Sequence, residues 1–125
     1  MVNRIEEEKE FVATVTLINI IKSTVEGIPQ QEYHLRIVTE DNEEFEEWIP
    51  ISLADKPDLI HPKSILNYYI RQIERIFPQA KDITEHEGII KLLLDKKLIW
   101  VKKPIGEIIM GVPPKVYYIP KRVVT

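Results

Sequence analysis

A mainly β fold of α+β type is what this chain predicts: a five-stranded Greek-key barrel carrying one amphipathic helix between its third and fourth strands. Three observations predict it. The first fifty residues read as three strands, with apolar residues recurring at every second position. One clear helix follows, and two more strand patterns close the chain. The first strand pattern is also too long for one flat strand, as expected of a strand bent around a barrel.

Residues 11–22 form the first strand. Phe11, Ala13, Val15 and Leu17 alternate with Val12, Thr14 and Thr16. The alternation breaks at Ile18-Asn19-Ile20-Ile21, where a bulge or sharp bend is expected. Gly27-Ile28-Pro29 marks a loop. Residues 33–39 form the second strand, with Tyr33, Leu35 and Ile37 on one face and His34, Arg36 and Val38 on the other. After the turn residues Glu40-Asp41-Asn42-Glu43, residues 45–51 form the third strand. Here Phe45, Ile49 and Ile51 face one way and Trp48 the other.

These two strands make a hairpin, and its loop length decides the pairing. A loop of odd length places both apolar sets on one face and puts Arg36 across from Trp48 on the outer face. An even loop pairs Trp48 with Leu35. The first is preferred because it gives one continuous apolar face.

Residues 55–62, with two prolines and two aspartates, form a loop. Leu66, Tyr69, Ile70, Ile73, Ile76 and Phe77 then follow the helical i, i+3, i+4 rule over residues 64–77. Ser64 can cap this helix, or Pro62 can stand at its first position, and Pro78 stops it. Asp82 with Glu85 and Thr84 with Glu87 have capping-box spacing, so a short helix through about residue 94 is expected, weakened by Gly88. Residues 97–103 form the fourth strand, ended by Pro104. Residues 105–114 form a long apolar loop between breakers, suited to a clamp, a hairpin tip or a dimer contact. Residues 116–124 form the last strand, and Pro120 marks it as an edge. Residues 1–10 are a charged lead-in, and residues 11–125 one domain.

The chain has 125 residues, enough for one core, and its 44% apolar content is that of a globular chain. With no cysteine there is no disulfide framework and no thiolate metal site. The charged start, MVNRIEEEKE, does not read as a secretory signal, and no apolar run reaches the ~20 residues of a membrane span. A cytoplasmic protein with no membrane partner is the expectation. The 21 isoleucines and four each of Asn and Gln fit a hyperthermophile, an archaeon or its virus.

Net charge is −3, but it is segregated. Residues 1–60 carry 5 Lys+Arg against 14 Asp+Glu, and residues 61–125 carry 12 against 6. Such segregation either makes a local basic face or is neutralised across the fold. The stretch LLLDKKLIWVKK, residues 92–103, concentrates the question. Apolar groups, one tryptophan and several ammonium groups on a strand suit a surface that holds phosphates and stacks bases. They equally suit a half-buried strand with a solvated edge.

The order strand, strand, strand, helix, short helix, strand, strand is that of the OB-fold. Four pieces extend the likeness: EEWIPIS ending strand three, PKSILNYYIRQIERIF as helix, DITEHEGIIKLLLDKKLIWVKK as a segment followed by a lysine-rich strand, and VYYIPKRVV closing the chain. Across residues 46–124 the chain resembles the single-stranded DNA-binding OB-fold proteins of archaeal and phage replication. Where such proteins often carry a glycine just before strand four, Asp95-Lys96 stands. The resemblance implies that nucleic acid lies on the outer face of strands two and three and on the loops between strands one and two and strands four and five. Here that means His34, Arg36, Trp48, Trp100, Lys102, Lys103 and the 105–114 loop, with Lys115, Lys121 and Arg122 completing the cationic set.

Catalytic signals are poor. His34, His61 and His86 are scattered without metal-ligand spacing, and no phosphate loop or nucleophile elbow occurs. Glu43, Glu44, Glu46 and Glu47 read as a solvated hairpin tip. No enzyme activity and no cofactor are expected. Two other readings stay open. In one, the two helices and the last two strands form a winged helix-turn-helix that binds duplex DNA, beside a separate β-hairpin region. In the other, the domain is a structural or protein-interaction module that dimerises through the 105–114 loop.

Overall fold

The computed structural model of the chain describes residues 9–52, 55–60, 64–105 and 110–124. Its elements are β1 (Phe11–Val25), β2 (Ile28–Thr39), β3 (Glu44–Ile51), α1 (Ile65–Ile76), a 3₁₀ turn (Pro78–Asp82), α2 (His86–Leu93), β4 (Lys97–Pro104) and β5 (Val116–Val123). The five strands form one antiparallel sheet in the order β3-β2-β1-β4-β5. The mainly β, α+β class is therefore as expected, but the sheet is not closed into a barrel. A separate hairpin region beside a winged helix does not describe it either, because β1 pairs with both β2 and β4.

The long first strand serves two partners, as its length required. Phe11 to Thr14 pair with β4, while the rest of β1 runs on beside β2 alone. The bulge falls between Val15 and Leu17, earlier than the break at residues 18–21 suggested. One extra residue there reverses the side-chain phase, so the buried series Ala13, Val15 continues at Ile18. Strand β2 starts at Ile28, five residues before the expected start, because the β1–β2 connection is a two-residue turn. Glu26 and Gly27, with φ of 50° and 79°, supply the positive dihedrals of that turn.

The β2–β3 loop has three residues, Glu40-Asp41-Asn42. Asn42 takes φ of 66°, and Thr39 and Glu43 share a backbone bond at 2.9 Å. This odd loop length puts Tyr33, Leu35 and Ile37 on the face of Phe45, Ile49 and Ile51. Asp95, just before β4, adopts φ of 66°, and its N–H donates to Val15 O at 2.8 Å. An aspartate tolerates the left-handed region better than most residues, so no glycine is needed there.

Helix α1 begins as read: the Ser64 hydroxyl accepts from Asn67 N at 3.0 Å. Its buried stripe is Leu66, Tyr69, Ile70 and Ile73. The capping boxes at Asp82 and Thr84 do not form. The backbone makes a 3₁₀ turn there, and α2 starts at His86 with no side-chain cap. Gly88 has a packing reason, since a Cβ would sit 2.7 Å from Ile83 Cγ2. In the centre, Ile18, Leu35 and Ile49 of the sheet meet the α1 stripe, Ile89 and Leu93 of α2, and Trp100 and Pro120. His86 ties α2 down. Its Nε2–H donates to Asp55 O at 2.8 Å, and its Nδ1 shares a short hydrogen bond with the Tyr33 hydroxyl. The lead-in at residues 1–8, His61, Pro62 and residues 106–109 lie outside the described residues. The neighbouring Met110 and Val112 are exposed.

Because Ile73 is fully buried where helix and sheet meet, Ile73→Ala should cost about 2–5 kcal/mol. Chemical denaturation checks this; a loss below about 1 kcal/mol would mean α1 is not docked on the core.

Candidate nucleic-acid interface

Alternation along β2 and β3 delivers three of the expected residues to one outer surface. His34 lies opposite Trp48, and Arg36 lies opposite Glu46. Arg36 was expected across from Trp48. The three-residue loop moves the pairing by two, so Arg36 becomes the diagonal neighbour of Trp48. The His34 and Trp48 rings stack face to face, with centroids 3.8 Å apart and planes 6° from parallel. Trp48 remains 37% exposed.

Glu46 organises this surface. Its Oε1 accepts from Arg36 Nε at 3.3 Å, from Arg36 Nη2 at 3.0 Å and from His34 Nε2 at 3.0 Å. Arg36 first, then His34, holds the Glu46 carboxyl below the ordinary carboxylate range. Glu46 was read as part of a solvated hairpin tip. Its place opposite Arg36 follows from register, which composition alone does not reveal.

Trp100, expected at the same surface, does not join it. It is fully buried, and its Nε1–H donates to Ala13 O at 3.1 Å. It lies between Phe11 of β1 and Pro120 of β5, in the middle of the sheet rather than at its rim. The lysines expected beside it also part company, because consecutive strand residues face opposite ways. Lys102 Nζ stands 5.2 Å from the Tyr118 ring centre, while Lys103 Nζ stands 6.0 Å from that of Tyr68 on α1. Lys115 Nζ lies 5.0 Å from the Tyr117 ring centre. These three tyrosines were missed. The Tyr-Tyr pair in β5, next to Lys115 and opposite Lys102 and Lys103, was the available signal.

Lys121 and Arg122 share Glu10. Lys121 Nζ is 2.8 Å from its Oε2, and Arg122 Nη2 is 2.5 Å from its Oε1. Lys97 similarly pairs with Glu40 at 2.6 Å. Acidic residues from the first half of the chain thus neutralise basic ones from the second, so part of the charge segregation is cancelled by folding. Lys102, Lys103 and Lys115 face tyrosine rings instead.

Glu47 departs furthest from expectation. Read as solvated, it is 6% exposed. Its Oε1 accepts from Tyr118 N at 2.6 Å and its Oε2 from Trp48 N at 3.3 Å. Strands β3 and β5 are the two edges of the sheet, so this carboxylate links them. The Tyr69 hydroxyl donates to Tyr118 O, satisfying the other polar group of the same peptide strand. The Tyr118 ring packs on Phe11 and Phe45, at centroid distances of 5.9 and 5.0 Å. Burial pushes the Glu47 carboxyl above its ordinary value, and the Tyr118 and Trp48 amides and the Lys115 and Lys102 charges oppose that shift.

A raised folded-state value means that the folded chain holds this proton more tightly than the unfolded chain does. The stability that follows is full below the ordinary carboxylate value of 4.5 and is lost as pH rises through the raised one. Glu47→Gln keeps an acceptor for Tyr118 and removes the charge. Its stability relative to the parent should therefore grow as pH rises from about 4 to 7. Glu47→Ala should cost about 1–3 kcal/mol by stranding the Tyr118 amide. Urea titrations across that range check both; a Gln variant whose difference from the parent ignores pH would refute the buried charge.

No family model, curated protein or solved structure matches this chain.

Proposed function

We propose that this chain is a non-catalytic binder of single-stranded nucleic acid, DNA first, with an OB-like arrangement of its strands. One observation carries the reading: Trp48, held by stacking on His34, stays exposed on the outer β2–β3 face with Arg36 diagonal to it. An aromatic plane held at a fixed angle loses little freedom when a base stacks on it, and every base has a π-face to offer. His34 covers one face of the indole, so a base would use the other. Lys102 and Lys115, at the Tyr118 and Tyr117 rings, supply ammonium groups for phosphate contacts.

Two features support the OB-like part. Helix α1 lies between β3 and β4, as that fold requires. The Glu47 side chain of edge strand β3 accepts from the Tyr118 amide of edge strand β5, and these are the two edges whose pairing would close a barrel.

Stacking one base on an aromatic is worth roughly 1–3 kcal/mol, so Trp48→Ala should weaken binding of an oligo-dT strand about tenfold or more. Because Trp48 is partly exposed, thermal stability should fall little. Lys102→Ala with Lys115→Ala should flatten the salt dependence, each lost phosphate contact removing about 0.7 from the log–log slope. Fluorescence anisotropy at several salt concentrations measures both. Tighter binding to duplex than to single strand would overturn the reading in favour of a duplex binder. No binding to either at low salt would favour an interaction module.

A further inference from the structure

The outer β2–β3 surface holds a carboxylate where the proposed ligand would need a phosphate. One oxygen of Glu46 receives, within 3.3 Å, both the Arg36 guanidinium, diagonal to Trp48, and the His34 imidazole, directly opposite it. A guanidinium fork and an imidazole N–H converging on one oxygen are the donors that recognise phosphate. Glu46 lies on an exposed strand position, with 43% of its side chain accessible. It can turn toward solvent, whereas the His34 imidazole that it holds is only 13% accessible and needs another acceptor when Glu46 leaves.

We propose that Glu46 is an internal stand-in for a backbone phosphate: it occupies the Arg36–His34 donor pair in the free protein and must leave when a nucleotide stacks on Trp48. The inference rests on the nucleic-acid reading above and adds a regulation to it. The acid sets a threshold that a single phosphate meets poorly, because an exposed ion pair must be exchanged for another of similar strength. A strand that stacks a base on Trp48 at the same time gains the extra interaction and displaces it. The surface thereby discriminates nucleic acid from free phosphate and other small anions.

Glu46→Gln removes the competing charge and leaves a side chain of the same size. Exposed ion pairs are worth up to about 1 kcal/mol, so this variant should bind oligo-dT about fivefold more tightly than the parent. Glu40→Gln makes the same charge change where Glu40 pairs with Lys97, away from this donor set, and serves as the control for net charge. It should change affinity less than about twofold. In an Arg36→Ala background, the gain from Glu46→Gln should disappear. Inorganic phosphate should compete with oligo-dT for Glu46→Gln at lower concentration than for the parent. If the parent binds oligo-dT but Glu46→Gln binds equally or more weakly, the stand-in role is overturned while the binding function stands. An equal gain from Glu40→Gln, or one that survives Arg36→Ala, overturns it too, since net charge would then be the cause. If no variant binds oligo-dT, the functional reading beneath it fails, and this inference with it.

Discussion

A carboxylate that is almost wholly buried holds the two edges of this sheet together. An open five-stranded sheet ends in two rows of unpaired amides and carbonyls, which invite pairing with other chains. Here the edge strands β3 and β5 come into contact, and Glu47 accepts from the Tyr118 amide while Tyr69 donates to the Tyr118 carbonyl. Both backbone polar groups of one edge residue are thereby satisfied by side chains from a strand and a helix. The Phe11, Phe45 and Tyr118 rings close over the same seam. Among the described residues no buried side-chain polar atom lacks a partner, so the cost of burying an acid is offset locally.

That seam also sets which side chains of β3 face outward. With Glu47 turned inward, its neighbours Glu46 and Trp48 must point outward, since side chains alternate along a strand. The same alternation sends His34 and Arg36 to meet them. The exposed indole, the Arg36 and His34 side chains bound to Glu46, and the buried edge link are thus three consequences of one register. A slip by one residue would turn Trp48 and Glu46 inward and Glu47 outward.

Much of this was legible in the residues. The stripe of α1, its Ser64 cap, the one-sided hairpin and the two-partner first strand all follow from local periodicity and turn chemistry. Three things were hidden. Trp100 is an aromatic flanked by lysines on a strand, yet it is paired on both sides, with Phe11 and Pro120, and lies in the core. Glu47 sits among four glutamates that look alike. The 3₁₀ turn replaced two plausible capping boxes because the chain ahead of α2 must bring Ala80 into the core and Ile83 against Gly88.

The amino-acid sequence alone determined the five strands, the main helix and their order, because each depends on interactions within a few residues of the chain. It also determined that acidic residues dominate the first half and basic residues the second. Only the tertiary structure decided which charges remain available. Glu10 reaches Lys121 and Arg122 across more than a hundred residues, and Glu40 reaches Lys97. Only it decided which tryptophan is buried and which glutamate is, because burial is a property of what packs from the other side. The physical reason is the range of the interactions: periodicity is written in neighbours, whereas exposure and charge pairing depend on partners that sequence distance does not name.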